Sequence, residues 1–289
     1  MAAVGAAAVG DDAIFREPYH PILVSVELRL SRWPAALDGF TIVQLSDFHY
    51  DEHFSAPPLR SAIKIVNELR PDLIALTGDF VTVPVLGGHR HIKKRAAAAI
   101  EPCAPLLAQL QSRLGSFAIL GNHDVDSDPA RIIETLHGHG ITVLRNASLP
   151  VEQSGKRFWL SGLDSVMEGK PDLNLALSSV PHGEPAVLLV HEPDFADRAA
   201  LYPVDLQLSG HSHGGQIWVP GIGAPWLPRL ARKYPRGRYA VGPLTVYTNF
   251  GLGTIRLPVR WNAPPEITLF TLRRNAEAAR RTESAPASG

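Results

Sequence analysis

Apolar positions in the first part of the chain follow the two spacings that distinguish strands from helices. Residues Ile22–Leu30 alternate between apolar and polar side chains, and this period of two predicts a β-strand. Short apolar runs at Phe40–Leu45, Leu73–Leu76 and residues 117–120 predict further, buried strands. Apolar residues recur every three or four positions between residues 59 and 69, which predicts an amphipathic helix. The first part of the chain therefore predicts a βαβαβ arrangement.

The rest of the chain adds two helices and then becomes rich in strands. Residues 106–114 predict one helix, and residues 129–137 predict another that Asp128 caps. A hairpin is predicted over residues 151–160. Further strands are predicted at residues 186–190, 204–208, 239–240, 244–249 and 267–272. An α/β fold with two mixed β-sheets and with helices on the outside accounts for both parts.

The chain contains no linker and no internal repeat, so we expect one domain from residue 19 to residue 272. Residues 1–18 are expected to form a flexible segment, and residues 273–289, which lack an apolar period, a disordered tail. The apolar residues 1–10 are fewer than the roughly 20 that span a bilayer, and they lack the basic start of a signal peptide. A frayed terminus and a cytoplasmic location are therefore favoured. The alternative is the remnant of a membrane anchor or export signal, which implies a membrane-associated or exported form.

The charge balance weighs against nucleic-acid binding. The 289 residues include 28 lysines and arginines and 28 aspartates and glutamates, so the formal net charge is zero. Proteins that bind nucleic acid usually carry a basic excess. Cys103 is the single cysteine, which excludes an intrachain disulfide. We expect Cys103 to pack in the core rather than to react.

Five short polar motifs stand just after predicted strands. They are Asp47-Phe48-His49, Gly78-Asp79, Gly121-Asn122-His123-Asp124, His191 and Gly210-His211-Ser212-His213. Ligands of open α/β sheets bind beyond the carboxyl ends of the strands, so these motifs are expected to converge. Each motif alone favours a loop or capping role. Their joint occurrence in this order predicts a site for two metal ions.

The spacing within the motifs suits a pair of divalent cations. Two cations about 3.5–4 Å apart need an anion between them, and Asp79 is the candidate for this bridge. Asp47 and His49 are two residues apart, so on an extended segment their side chains would point to the same side. His211 and His213 have the same spacing. The geometry of Asp47 and His49 suits two ligands on one metal ion.

The remaining motif residues complete the expected chemistry. Asn122 offers a neutral amide oxygen, and the absence of thiolates from the set argues against a structural zinc site built on cysteine. Such a set suits Mn, Fe, Zn, Co or Ni, and affinity alone does not select among them. Two bound cations would lower the pKa of a bridging water and supply hydroxide near neutral pH. His123 is expected to protonate the leaving alkoxide, with Asp124 holding its ring, although a core histidine beside a ligand is the alternative.

The motifs and their flanking residues resemble the calcineurin-like metallophosphoesterase superfamily, and within it the bacterial YkuE/YaeI-like phosphodiesterase branch. The similar segments include residues 42–47 (IVQLSD), 189–194 (LVHEPD), 206–211 (LQLSGH) and 249–253 (NFGLG). The resemblance extends over nearly the whole chain. It implies a four-layer sandwich in which two facing mixed β-sheets are flanked by helices.

The resemblance also implies how the ligands are shared between the two cations. One cation would be held by Asp47, His49, Asp79 and His213. The other would be held by Asp79, Asn122, His191 and His211. Because none of these family positions is substituted, the resemblance implies an active hydrolase.

The function expected from these residues and this resemblance is hydrolysis of phosphate esters by a metal-bridging hydroxide, and the resemblance favours phosphodiesters. One alternative is a pyrophosphate hydrolase that acts on a lipid-linked nucleotide sugar of the UDP-diacylglucosamine type. Another is a metal-free, catalytically silent binding scaffold, against which the intact ligand set argues. The expected partner is a small-molecule or lipid-linked phosphate ester. Nucleic acid is not expected, and peripheral association with a membrane is left open.

Two basic clusters and two tryptophans lie close to the motifs in sequence. The first cluster comprises His89, Arg90, His91, Lys93, Lys94 and Arg95, and the second comprises Arg232, Lys233, Arg236 and Arg238. A solvated surface is the favoured interpretation of both, and a grip on phosphate or an anionic head group is the alternative. Trp218 and Trp226 are expected to pack, with a position at the rim of the site as the alternative.

Overall fold

The structure, a computed structural model, describes residues 10–84 and 90–275. Within these two ranges, twelve strands form two six-stranded sheets, and seven α-helices lie along the connections. The strands are β1 (Ile22–Leu30), β2 (Phe40–Leu45), β3 (Leu73–Leu76), β4 (Ser116–Ala118), β5 (Ile141–Val143), β6 (Ala147–Gln153), β7 (Lys156–Gly162), β8 (Ala186–Leu189), β9 (Leu206–Ser209), β10 (Gly237–Val241), β11 (Leu244–Thr248) and β12 (Glu266–Arg274). The helices are α1 (Ala56–Leu69), α2 (Arg90–Ala96), α3 (Ile100–Leu107), α4 (Asn122–Ser127), α5 (Pro129–Gly138), α6 (Leu173–Ala176) and α7 (Ala196–Ala199).

Both sheets are mixed, with parallel strands at their centres. The first sheet has the order β1-β12-β2-β3-β4-β5, and its strands are parallel except where β12 meets β2. The second has the order β10-β11-β9-β8-β7-β6, with antiparallel pairs at its two edges. The parallel strands β2, β3 and β4 are neighbours, as are β8 and β9. Their carboxyl ends therefore form two continuous rows, and these five strands are the ones that precede the polar motifs.

Three apolar clusters join four layers. The central cluster lies between the sheets, where the rings of Phe40 and Phe158 meet edge to face with centroids 5.1 Å apart. The second packs the first sheet against α1, α3 and α5, and the third packs the second sheet against α6 and α7. Each fully buried Leu, Ile or Phe in these clusters contributes roughly 1.5–3 kcal/mol. The helix–sheet–sheet–helix order confirms the predicted α/β fold of two facing mixed sheets.

Most elements predicted from apolar spacing are present. α1 buries Leu59, Ile63 and Val66 on its sheet-facing side. The Asp128 side chain accepts a hydrogen bond from the backbone N–H of Arg131 (3.4 Å) and caps α5 as predicted. The predicted hairpin is formed by β6 and β7. Periodicity was sufficient in these places because each element buries one face of its own.

The predicted helix over residues 106–114 is wrong. The helix at this place is α3, which ends at Leu107. Arg113 and Leu114 donate backbone hydrogen bonds to the carbonyls of Pro71 and Asp72, at 3.1 and 2.8 Å. Pairing with the loop before β3 thus takes the place of further helical bonds, so tertiary contacts outweigh the local preference.

Folded elements extend past both predicted domain boundaries. Residues Asp12–Arg16 form a helical turn, and the Ala13 carbonyl accepts a hydrogen bond from the backbone N–H of Arg260 (2.9 Å). At the other end, β12 continues beyond residue 272 to Arg274. Residues 1–9 and 276–289, on which the rest of the flexible segment and tail were predicted, lie outside the described residues. In the part of the chain that is described, no helix combines the length and apolar character that crossing a bilayer requires.

Candidate metal centre

The loops after β2, β3, β4, β8 and β9 meet at one end of the sandwich. Two hydrogen bonds join the sheets there: Gln44 Nε2 donates to the Ser209 carbonyl (2.9 Å), and His191 Nδ1 lies 2.7 Å from the Thr77 carbonyl. The predicted ligands are brought together at this junction in three overlapping clusters, each with its ligand atoms within 4.8 Å of one another. These clusters are Asp47, His49 and His213; His49, Asp79 and His123; and Asp79, His191 and His211. Asn122 starts α4 beside them.

Asp79 lies between the two halves of this assembly. Its Oδ2 is 3.5 Å from His49 Nε2 on one side and 3.1 Å from His191 Nε2 on the other. His49 Nε2 in turn faces His213 Nε2 at 3.0 Å. Two facing imidazole nitrogens and a carboxylate oxygen at these distances are the arrangement that a shared cation binds. The position of Asp79 is the one that a bridging ligand needs.

Backbone strain is concentrated at the predicted ligands. Five of the seven have φ in the left-handed region: Asp47 (50°), His49 (40°), Asp79 (55°), His211 (68°) and His213 (53°). This conformation costs roughly 1–2 kcal/mol for a residue other than glycine. Strain of this kind persists where the surrounding structure enforces it, and it is common at functional sites.

The prediction that Asp47 and His49 share an extended segment is therefore wrong. Their backbone N–H groups donate to the carbonyls of Gly78 and Asp79, each at 2.9 Å, and the chain curls between them. The two side chains still reach one cluster, because the neighbouring loop shapes the backbone instead of the strand pleat. The two side chains therefore lie close together, as the spacing of two suggested, but for a different geometric reason.

Gly78 permits the close approach of two of these loops. Its φ is +93°, and a Cβ there would lie 2.8 Å from Gly121 Cα and 2.9 Å from the Leu120 carbonyl carbon. Any side chain would force apart the loops that carry Asp79 and Asn122. Because Gly78 has no side chain, the chain can turn sharply there into the loop that carries Asp79.

Hydrogen bonds to carbonyl groups determine which ring nitrogens face the centre. His191 Nδ1 lies against the Thr77 carbonyl, and His211 Nε2 lies 2.9 Å from the Arg229 carbonyl. A nitrogen that faces a carbonyl carries a proton, so the other nitrogen of each ring is the one that faces the centre and can bind a cation. Metal-bound histidines are typically oriented in this way.

Unpaired polar atoms at the same place provide a test of whether a cation fits. Asn122 Oδ1 and His191 Nε2 are both buried, and neither makes a hydrogen bond of acceptable geometry. Buried oxygen and nitrogen acceptors are costly unless something satisfies them. Carboxylate, amide and imidazole groups together match divalent transition metals. The residues present therefore fit a pair of such ions.

Charge and burial at the site are also consistent with cation binding. Burial lowers the pKa of His49 and of His213 well below the ordinary value, so both rings are neutral, as metal ligands must be. Burial alone would raise the pKa of Asp79, but His191 and His123 hold it well below its usual range, and Asp79 in turn raises the pKa of His191 well above its ordinary value although burial opposes this. Asp79 is thus an anion in a buried environment.

His123 is bonded through one ring nitrogen only. Its Nδ1 accepts a hydrogen bond from the backbone N–H of Val83 (3.0 Å). The neutral ring must then carry its proton on Nε2. The His123 backbone N–H donates to Asp79 Oδ1 (2.9 Å), which holds the residue against the centre. A half-buried imidazole with an available N–H at this place can donate to an oxygen of a bound ester.

The predicted role of Asp124 in holding the His123 ring is wrong. Asp124 Oδ1 accepts from the backbone N–H groups of Phe80 (2.9 Å) and Val81 (3.2 Å), and Oδ2 accepts from that of Gly121 (2.9 Å). Burial and the nearby Asp79 raise the pKa of Asp124 to about 8. Asp124 fastens the loop after β3 to the start of α4, and the Val83 backbone, not Asp124, orients His123.

Several contributors to the site were missed in the sequence. Thr82 Oγ1 lies 3.0 Å from His49 Nδ1 and supports that ring. Arg260 is fully buried, and its guanidinium donates to the carbonyls of Ala263 (2.7 Å) and Phe250 (2.9 Å) and of three further residues, among them His213. It therefore ties the loop over residues 249–253 to the last ligand loop. The positions of backbone carbonyl groups cannot be inferred from residue types. No sequence motif distinguishes Arg260 from the other arginines of the chain.

Side chains from both basic clusters take part in contacts within the protein. Lys93 Nζ pairs with Asp126 (2.6 Å), and Lys233 Nζ pairs with Asp197 (2.6 Å). The Arg236 guanidinium stacks on Trp218, 4.4 Å from the ring centroid, so Trp218 packs as expected. Trp226 is half exposed. His89 of the first cluster lies outside the described residues, and Cys103 is buried, as predicted.

Comparisons with known proteins agree with this geometry. The model of the calcineurin-like phosphoesterase family matches residues 40–215. The chain is 38% identical to the metallophosphoesterase YkuE of Bacillus subtilis over 263 residues, which covers 90% of this chain and 88% of that protein. It is 33% identical to the phosphodiesterase YaeI of Escherichia coli over 239 residues, with 81% and 82% covered. It is 26% identical to the UDP-2,3-diacylglucosamine pyrophosphatase LpxG of Chlamydia muridarum, with 88% and 90% covered.

The chain belongs to the calcineurin-like metallophosphoesterase family, a class of metal-dependent hydrolases. The resemblance inferred from the motifs is thereby confirmed.

Proposed function

We propose that the protein is a binuclear metal-dependent phosphodiesterase. The observation that carries this proposal is the position of Asp79, with Oδ2 within 3.5 Å of His49 Nε2 and 3.1 Å of His191 Nε2. One carboxylate shared by two half-sites is what a pair of cations requires. The family, together with a relative named as a phosphodiesterase, supports the reaction class.

Each half-site has its own residues in this proposal. One cation is held by Asp47, His49, Asp79 and His213. The other is held by Asp79, Asn122, His191 and His211. When bound, such ions neutralise phosphoryl oxygens and lower the pKa of coordinated water.

The protein side chains supply orientation and a proton. The carbonyls of Thr77 and Arg229 hold the His191 and His211 rings so that the other nitrogen of each ring faces the centre, where a bound cation would take the place of its proton. His123, held by the Val83 N–H, directs its Nε2–H towards the oxygen that leaves the phosphorus; the neutral ring donates a hydrogen bond there, and it would transfer the proton as an imidazolium, with Nδ1 turned away from the Val83 N–H. Donation of this proton is needed most when the leaving alkoxide is a strong base.

The test is hydrolysis of bis-p-nitrophenyl phosphate and p-nitrophenyl phosphate by metal-stripped protein to which Mn, Zn, Fe, Co, Ni or Mg is restored singly. The proposal predicts metal-dependent turnover, with the diester hydrolysed faster than the monoester. Preference for the monoester would overturn the diester assignment. Absence of bound metal under all conditions would overturn the proposal as a whole and favour the metal-free scaffold.

A second candidate is hydrolysis of the pyrophosphate bond of a lipid-linked nucleotide sugar. Similarity to LpxG over 88% of this chain supports it. The two candidates differ in the bond that is cleaved. Release of UMP from UDP-2,3-diacylglucosamine at a rate above that of simple diesters would favour the pyrophosphatase, and the reverse order would favour the phosphodiesterase.

A further inference from the structure

The segment over residues 254–258 separates two cavities that open beside the proposed metal centre. One, of about 580 Å³, is bordered by His49 and Thr82. The other, of about 230 Å³, is bordered by Ser212 and His213. His49 and His213, whose Nε2 atoms lie 3.0 Å apart, border one cavity each, so each cavity adjoins a ligand of the proposed centre. Arg256 and Leu257 belong to the walls of both.

The smaller cavity has an almost wholly apolar wall away from His213. That wall is formed by Ile217, Pro225, Trp226, Ile255, Leu257 and Val259. A cavity of about 150 Å³ is large enough for benzene, so one of 230 Å³ accepts an alkyl segment of several carbons or an aromatic ring. Water gains few hydrogen bonds in such a space, and an apolar group placed there releases that water.

Apolar side chains at the rim of this cavity remain exposed. Leu257 is 65% exposed, Trp226 is 50% exposed, and Ile222 on the same loop as Trp226 is more exposed still. Exposed apolar groups that cluster beside a polar site are characteristic of ligand-binding surfaces. Continuity with the metal centre makes the substrate the natural occupant.

Arg256 adds a positive charge at the same rim. Its guanidinium lies over the Trp226 ring, 4.8 Å from the centroid, and its backbone is held in the left-handed region with φ of 67°. Among the described residues, Arg256 forms no ion pair with a carboxylate. A cation next to an apolar cavity complements a molecule that has a phosphate at one end and a hydrocarbon group at the other.

We propose that the cavity between Trp226 and Leu257 is a subsite for an alkyl chain, so that the preferred substrate is an amphiphilic phosphate ester. The proposal rests on the proposed phosphodiesterase function. The phosphate lies at the metal centre, Arg256 faces its negative charge, and the chain passes His213 into the apolar cavity. Such an ester can come from a bilayer or from a soluble amphiphile.

The experiment uses Mn-loaded full-length protein and methyl, butyl and hexyl p-nitrophenyl phosphate as substrates. Each methylene that enters the cavity is expected to raise kcat/KM about fourfold, the factor that corresponds to about 0.8 kcal/mol, until the cavity is full. A long-chain phosphatidyl p-nitrophenol in phosphatidylcholine vesicles forms the second arm. Provided that kcat/KM rises with chain length, turnover in vesicles identifies a bilayer source, and turnover of the monomeric hexyl ester alone identifies a soluble one.

Substitutions in and outside the cavity wall show whether the dependence of kcat/KM on chain length arises in this cavity. Trp226→Ala and Leu257→Ser are expected to lower the hexyl-to-methyl ratio of kcat/KM at least fivefold. Leu201→Ser, a change of an 82% exposed leucine outside the cavity wall, is expected to leave this ratio unchanged. Using the ratio removes any general loss of activity from the comparison.

Different experimental outcomes would overturn the subsite and the phosphodiesterase assignment. Turnover of the methyl ester with no gain from longer chains would overturn the subsite and leave the phosphodiesterase assignment intact. An equal hexyl-to-methyl ratio in the wild type and in Trp226→Ala would do the same. Absence of turnover for every ester by protein with two bound ions would overturn the phosphodiesterase assignment, and the subsite inference with it.

Discussion

Asp79 is the residue on which both halves of the proposed centre depend. Replacement by Asn keeps its shape but removes the charge that lies between His49 and His191. We expect Asp79→Asn to lose bound metal and to lower kcat/KM by at least about 100-fold, because uncompensated cations repel each other at this separation. Metal analysis and diester hydrolysis measure the two effects on one sample. Asp126→Asn, which removes the partner of Lys93, is the control and should keep both ions.

If Asp79→Asn retained two ions and full turnover, the bridge would have to be another residue.

His123 is predicted to act on the leaving group and not on metal binding. His123→Ala should keep both ions, and it should slow alkyl esters at least about tenfold more than p-nitrophenyl esters, since a poor leaving group needs the proton more. Rates for a series of leaving groups, plotted against their pKa, provide the measurement. Equal slowing of all esters would contradict the general-acid role.

At the residue scale, the sequence allowed the candidate site to be predicted where side chains, and not backbone groups, form it. The residues predicted as ligands lie together because each motif follows a strand whose carboxyl end faces the site. The partners that orient them could not be predicted, because the carbonyls of Thr77 and Arg229 and the N–H of Val83 belong to the backbone. Asp124 was assigned to the wrong partner since adjacency in sequence does not give the direction of a side chain in a helix.

The elements that carry the ligands depend on two loops that touch at Gly78. Gly78 and Gly115 have nearly equal φ values, +93° and +96°, but a Cβ at Gly115 would meet nothing within 4 Å. Gly115→Ala should therefore cost only the backbone strain, about 1–2 kcal/mol in the free energy of unfolding. Gly78→Ala should cost more and should also lower metal affinity, because the loop of Asp79 must move. Urea unfolding and metal titration of both variants provide the test. Equal losses of stability with metal affinity unchanged would show that the close approach does not matter.

A pH-dependent contact secures the β6–β7 hairpin. The Arg157 guanidinium (2.7 Å) and the Trp159 N–H (2.6 Å) hold the pKa of Glu184 at about 2, below its ordinary value of 4.5. A lowered folded-state pKa means that the contact stabilises the protein above about pH 4.5 and that this contribution is lost as the pH falls towards 2. Glu184→Gln should therefore show a smaller loss of stability than the wild type between pH 5 and pH 3, as measured by urea midpoints.

Glu152→Gln is the control for this contact. Glu152 lies on the same hairpin and is 4.0 Å from Arg157, with an exposed side chain. It should follow the wild type across the same pH range. An unchanged acid response in Glu184→Gln would contradict the assignment.

At the element scale, prediction succeeded where a strand or helix buries one face or, as in β3, β8 and β9, both faces, and it failed where distant segments compete for the backbone. Residues 113 and 114 bond to the loop before β3, a contact some 40 residues away along the chain. The curl at Asp47 and His49 arises in the same way, from hydrogen bonds to the loop of Gly78 and Asp79. Neither contact can be predicted from the residues that lie next to it in the sequence.

The whole molecule is built so that two sheets share one site. Gln44 joins the first sheet to Ser209 of the second, and His191 reaches across to the Thr77 carbonyl. A cation pair held by ligands from both sheets would therefore add to the stability of the sandwich as well as supply chemistry. The two-sheet architecture followed from the order of strands and helices. The apolar cavity beside His213 could not be predicted in this way, because its wall combines residues 217–226 with residues 255–259, which are distant in sequence.

The binuclear centre can be tested by titration of metal-free protein with Mn²⁺, in which bound ions are counted by native mass spectrometry while hydrolysis of bis-p-nitrophenyl phosphate is followed. Each chain is expected to bind two ions, and turnover is expected to rise with the population of the two-ion form. Full turnover by a form with one ion or none would contradict the proposed binuclear centre.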